Sequence, residues 1–214
     1  VFKGQWPVVN SPMSIAVLQS DGKEVELATA RMASRTALAQ LPPVFSETRM
    51  FKDIEYLASD ELEGRGLGTP GLDRAADYIA KQFSDAGLQP CGDGSDDFFQ
   101  TWTEQVDMPE RDVVTIKNVI GVIPGNNPEW DGQSVIIGAH YDSHGLGWPD
   151  CLAGNEGKIH PGADDNASGI SVLLEFARLV GKKWQPERTV VFVAFSAEEA
   201  GKLGSLHYIR QANK

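Results

Sequence analysis

Two cysteines in 214 residues are too few for a disulfide scaffold or a thiolate zinc knuckle. Cys91 and Cys151 fit either one bond formed in an oxidising compartment or two unconnected thiols. Long apolar runs are also lacking: nothing reaches the roughly 18 consecutive apolar residues of a membrane helix, so no span is expected. Basic charge is scarce, with nineteen Lys and Arg, none in a run, against thirty Asp and Glu and a formal charge of -11. A phosphate backbone is gripped by clustered cations, so this balance argues against general nucleic-acid binding. It leaves metal binding open, because inward-pointing carboxylates hold cations whatever the net charge. The chain starts at Val1 without a basic-then-apolar leader, so a leader either was removed or never existed.

What is present describes a globular protein. Hydrophobic residues make up 41% and charged residues 23%, enough for a sizeable core. At roughly 100 to 200 residues per domain, the length allows one compact unit with an appendage. We expect an N-terminal appendage over residues 1–45, with a strand at Glu24 to Ala28 and a weakly apolar helix over Ala28 to Leu41, stopped by Pro42 and Pro43. The main domain is expected over 46–214. Phe51, Ile54, Leu57 and Ala58 fall on one helical face, and a glycine-rich loop follows from Glu61 to Gly71. A second helix over Leu72 to Ala86 carries Ala75, Ala76, Ile79 and Phe83 at helical spacing and meets Gly87 where a C-cap belongs.

Beyond Cys91 the pattern changes to short apolar runs. NVIGVI (Asn118 to Ile123) and SVIIGA (Ser134 to Ala139) read as strands, and RTVVFVAF (Arg188 to Phe195) as a strand buried on both faces. Ala167 to Val180 reads as a helix entered through Asp165 and Asn166, and Leu203 begins another. Strand, strand, helix, buried strand, helix is the order of an α/β sheet covered by helices, in which ligands sit beyond the carboxyl ends of strands.

Three clusters fall in that favoured place. His140 and Asp142 leave a strand two residues apart, so the carboxylate can orient the ring. Asp164 and Asp165 sit together before a helix; one cap explains one carboxylate, and the second repels its neighbour unless a cation or proton intervenes. Glu198 and Glu199 follow the buried strand directly, aimed differently, so that one can ligate while the other handles protons. Each cluster alone reads equally well as solvated strand end or helix cap. Together they supply one imidazole and several oxygens, a set that suits zinc, manganese or cobalt, with zinc the default for hydrolysis. A carboxylate shared by two ions would support hydrolysis of an amide or ester.

HYDSHG, GADDNASG and SAEEAGKLGS, with LEGRGLGTPG before them, resemble the motifs of the co-catalytic zinc aminopeptidases of peptidase family M28, over about residues 50 to 211. The resemblance implies a three-layer α/β/α zinc-peptidase fold with a mixed central sheet, and hydrolysis of N-terminal peptide bonds by two zinc ions and a glutamate base. It makes His140 a ligand of one zinc, Asp142 its orienting carboxylate, Asp165 the ligand bridging both metals, Glu198 the general base and Glu199 a ligand of the other zinc. Asp164 is then structural, and Asn166 stands where some relatives have an acid that is not a ligand. Family members carry a further Asp and a final His well beyond the Glu pair, and no Asp follows Glu199 here. The chain is therefore expected to be the N-terminal part of such a domain, C-terminally incomplete and inactive by itself, with the missing segment as a partner. The implied substrate is a peptide with a free N-terminus, and the implied location is periplasmic or extracellular after removal of a signal peptide. Related single-zinc glutaminyl-peptide cyclase chemistry, or a non-catalytic binding domain of the same fold, are the alternatives. His207 is expected to be an ordinary helix residue, and Arg65 a loop residue without chemistry, either at the surface or buried with a partner.

Overall fold

The computed structural model describes residues 13–18, 24–30, 45–108, 111–182 and 184–212. The chain divides into two units, Val1–Val44 and Phe45–Lys214. In the first, β1 (Met13–Leu18) pairs antiparallel with β2 (Glu24–Ala30), with an irregularity between Ile15 and Ala16. Ala28 and Ala30, expected to open a helix, instead complete the ladder opposite Ile15 and Met13. The rest of that expected helix lies outside the described residues.

The second unit opens with α1 (Glu47–Leu57), capped by the Ser46 hydroxyl, which accepts from the Arg49 amide. Its inward face keeps the expected Leu57 and Ile54 and differs at Phe51. Phe51 is 70% exposed, while Asp53 and Leu57 are buried. Asp53 turns inward because Arg178 meets it through two bonds of 2.6 and 2.8 Å and the Tyr78 hydroxyl donates a third at 2.5 Å. Such a satisfied pair makes burial of the charge tolerable. The glycine-rich segment forms two 3₁₀ turns over Asp60–Arg65. Helix α2 (Pro70–Ala86) then buries Ala75, Ala76, Ile79 and Phe83 and ends at Gly87 with φ 88°, the left-handed cap that glycine adopts without strain.

The sheet is mixed. Besides the two-residue β3 (Gln89–Pro90), strands β4 (Phe99–Met108), β5 (Arg111–Ile123), β6 (Ser134–His140) and β7 (Thr189–Phe195) build it. β3 and β4 both pair with β5, β5 runs antiparallel to β7, and β7 runs parallel to β6. The parallel pair is joined through α3 (Ser168–Val180), the crossover that parallel strands require. Val190, Phe192 and Ala194 face the main core with α2 and α3, whereas Val191 and Val193 face a smaller cluster that includes Tyr208 of α4 (Leu203–Ala212). Helices therefore cover both faces of a three-layer α/β/α unit. Among the described residues no strand pairs with the outer edge of β6, where Val135 and Ile136 are 48% and 51% exposed. No helix among the described residues is long and apolar enough to cross a membrane. Cys91 and Cys151 are free thiols.

Candidate metal centre

The parallel pairing of β6 and β7 decides where the chemistry sits. His140, the last residue of β6, lies opposite Phe195, the last residue of β7, so the segments leaving both strands emerge side by side. Helix α3 runs back along the sheet, so its N-terminal approach reaches the same edge. The three clusters are thereby gathered from positions 140–142, 164–165 and 198–199.

One donor atom each from His140, Asp165 and Glu199 lie within 4.8 Å of one another. His140 Nε2 is 3.0 Å from an Asp165 carboxylate oxygen, and its Nδ1 lies 3.7 Å from Asp142 Oδ1. At that distance the second contact is an ion pair rather than a hydrogen bond, and Nδ1 is buried with no hydrogen-bond partner. Burial opposes charge on the ring, yet Asp142, Glu198 and Asp165 together raise its pKa to about 9. One imidazole and two carboxylates within reach of one another form a nitrogen-and-oxygen donor set that fits zinc, which takes the ring in its neutral form.

Asp142 does more than face His140. It is 1% exposed, and its two oxygens accept the backbone N–H groups of Glu198 at 3.0 Å and Glu199 at 3.2 Å. One carboxylate therefore ties the end of β6 to the turn after β7. Ala197 bends that turn with φ 55°, a left-handed conformation unusual for a residue with a Cβ. Asn118 on β5 fixes the turn from behind, accepting from Ser196 N at 3.1 Å and donating to Gly204 O at 3.0 Å.

The approach to α3 is irregular. Asp165 and Asn166 have non-helical dihedrals, and the peptide bond between them is cis. Both residues were expected as caps, but only Asn166 acts as one, accepting from Gly169 N at 2.9 Å. Asp165 is turned to His140 with its side chain 74% exposed. Asp164, in the same turn, is exposed.

Two neighbours were not anticipated. His144 Nε2 lies 2.9 Å from Glu199 Oε2, and its Nδ1 lies 3.5 Å from Asp150. The imidazole is part of HYDSHG, so it was visible, but nothing local says which carboxylate it meets. Burial raises the pKa of Glu199, with His144 acting in the opposite direction. An open cleft beside the donors is walled by His144, His160, Gly162, Asp165 and Glu199. His207, by contrast, stacks on Trp102 with ring centroids 3.9 Å apart, as a helix residue packed on β4.

The model of peptidase family M28 matches residues 118–214, the span that holds all three clusters. Over that span the chain is similar to peptidase family M28. It is 36% identical over 155 residues to the alkaline phosphatase isozyme conversion protein of Escherichia coli strain K12, a match covering 69% of this chain and 41% of that protein. It is 39% identical over 95 residues to aminopeptidase YwaD of Bacillus subtilis strain 168, covering 44% of this chain and 18% of that protein. Among solved structures, the glutaminyl cyclase of Fimbriiglobus ruber superposes with a TM-score of 0.64 at 21% identity, covering 79% of this chain and 56% of that one. The M28 fold expected from the motifs is thus present, and the chain spans less than half the length of these two curated relatives.

Proposed function

We propose that this chain forms the metal-binding part of a zinc-dependent aminopeptidase. The observation that carries the reading is the meeting of His140, Asp165 and Glu199 at one sheet edge, with Asp142 at the β6 exit accepting from two amides of the turn after β7. The match to M28 and the likeness to an aminopeptidase support it. His140, Asp165 and Glu199 would hold zinc, with Asp165 shared where two ions bind; manganese or cobalt would suit the same donors. Zinc, when bound, supplies Lewis acidity toward the scissile carbonyl and lowers the pKa of water.

The remaining chemistry falls to this chain's own residues. Glu198, beside His140, takes a proton from the attacking water and returns it to the leaving amine. Asp142 orients the His140 ring and fixes the backbone from which both glutamates project. His144 holds the Glu199 carboxylate in place. The substrate is a peptide with a free N-terminus, and export to the periplasm or cell exterior belongs to the same reading. Zinc titration of the full protein alongside an aminoacyl-anilide assay tests it; stoichiometric zinc with no turnover would refute the peptidase assignment.

A single-zinc cyclase is the second reading. It is favoured by the likeness to a glutaminyl cyclase fold and by donors close enough for one ion to satisfy all three. A substrate with an N-terminal glutamine separates the two: cyclisation without hydrolysis of other aminoacyl-anilides favours the cyclase.

A further inference from the structure

Arg65 lies outside every motif assigned to the metal, yet it is among the largest fully buried side chains of the fold. Its guanidinium is surrounded by backbone carbonyls. Nε donates to Tyr141 O at 2.8 Å, Nη1 to Pro161 O at 2.8 Å and to Leu57 O, and Nη2 to Gly162 O at 2.8 Å. Four of its five N–H donors are thus used, in the planar fork that distinguishes arginine from lysine. Among the described residues no carboxylate lies within ion-pair distance of it. Besides Leu57 at the end of α1, the contacts reach two segments of the site. Tyr141 stands between His140 and Asp142, and Pro161 and Gly162 lead into the turn that carries Asp165.

Local backbone geometry reinforces the same junction. Ser143 N donates to Arg65 O and Gly145 N to Gly64 O, while His160 N donates to Gly145 O. A Cβ on Gly162 would stand 2.7 Å from Arg65 Nη2, and one on Gly66 2.9 Å from Gly145 Cα. The chain approaches Arg65 this closely because the glycines around it carry no side chains.

We infer that Arg65 is a positioning residue for the metal centre, a clamp whose guanidinium sets the separation of the His140 and Asp165 segments. It also puts a permanent positive charge beneath an acidic site. Burial lowers its pKa to about 10, with Asp142 and Asp165 pulling the other way, so it stays a cation at neutral pH. The inference rests on the zinc reading above for its affinity arm only.

The test compares the native full protein with Arg65→Lys and Arg65→Met. Zinc affinity is read by competition with a chromophoric chelator, and hydrogen exchange is followed over 141–145, 160–167 and the control strand 189–195. Arg65→Met is expected to weaken zinc binding 10- to 100-fold, as removal of outer-shell partners does. Arg65→Lys, which keeps the charge and loses the fork, recovers part of that loss. Exchange should quicken over 141–145 and 160–167 and stay unchanged in the control strand. Native zinc affinity and native exchange in Arg65→Met would overturn the clamp, and so would exchange raised equally in the control strand. Should Arg65→Met fail to fold, Arg65→Lys carries the same comparison. If the native protein binds no zinc, the metal reading fails, while the exchange pattern still decides the clamp.

Discussion

Asp142→Asn keeps the shape of a buried side chain and removes its charge and one of its two acceptor oxygens. In the native site Oδ1 accepts from Glu198 N at 3.0 Å and faces His140 Nδ1, while Oδ2 accepts from Glu199 N at 3.2 Å. An asparagine places its carbonyl on the first side, where two donors meet, and its NH₂ on the second, against another N–H. The part-buried Glu199 amide then faces an NH₂ group in place of its acceptor, at a cost of about 1–3 kcal/mol, and the surviving bond loses its charge assistance. One effect runs the other way, since the site is crowded with carboxylates and one fewer charge relieves repulsion.

The lost acceptor dominates, because it belongs to a side chain that is 1% exposed, whereas the repulsion acts partly through solvent around the exposed Asp165. We therefore expect a net loss of about 2 kcal/mol in the metal-free protein. For a unit of roughly 170 residues that corresponds to a fall in Tm of about 4–8 °C. With zinc the relief of repulsion disappears, and affinity should drop about 10- to 100-fold. Thermal unfolding with and without zinc, together with chelator competition, reads both quantities. A variant with native Tm and native zinc affinity would refute the reasoning, since Asp142 could then not be what ties the two strand exits together.

Three other outcomes are expected. Glu198→Gln should lower kcat by about 10²- to 10⁴-fold with zinc content unchanged, whereas Glu199→Gln should lower zinc occupancy; metal analysis beside initial rates distinguishes them, and reversed phenotypes would exchange their roles. Gly204→Ala should destabilise by about 1–3 kcal/mol in denaturant unfolding, although alanine normally favours a helix by about 1 kcal/mol, because the new Cβ meets Ser196 O and stands 2.5 Å from Asn118 Oδ1. Glu175 is buried, and although burial raises its pKa, Arg49, the Ser46 amide and Arg178 outweigh that and hold it below the ordinary 4.5. Its contribution is therefore complete above the unfolded value and lost as pH falls through the folded one, so stability should decline below about pH 4.5, and less steeply in Glu175→Gln.

Much of the fold could be read because local pattern and burial agree. In α2 the apolar positions repeat at helical spacing and Gly87 stops the helix, and all of them meet the core. β7 is apolar on both faces because helices cover both. The reading fails where a charged pair replaces an apolar contact. In α1 Phe51 was expected on the inward face and is exposed, while Asp53, which no apolar pattern marks, is buried against Arg178, 125 residues away. β4 escaped notice because it is only half-buried, so Trp102, Val106 and Met108 alternate with polar residues too weakly to mark a strand.

Ligand candidates are legible for a different reason than the residues that position them. A metal restricts residue type, so His140, Asp165 and Glu199 stand out once each is placed at a strand exit or helix approach. Asp142 was legible in half of its role, because its partner His140 is two residues away. The other half, holding the Glu198 and Glu199 amides, spans 56 and 57 residues and uses main-chain donors that every sequence possesses. Arg65 is the extreme case. All its partners are main-chain carbonyls, the site-bearing ones 76 to 97 residues away, and a carbonyl carries no sequence signature. An arginine flanked by two glycines reads as a loop until the carbonyls that converge on it are seen. On the proposed reading, variants of the ligand candidates should fail through loss of metal, whereas variants of Asp142 and Arg65 should keep every candidate and lose the spacing between them.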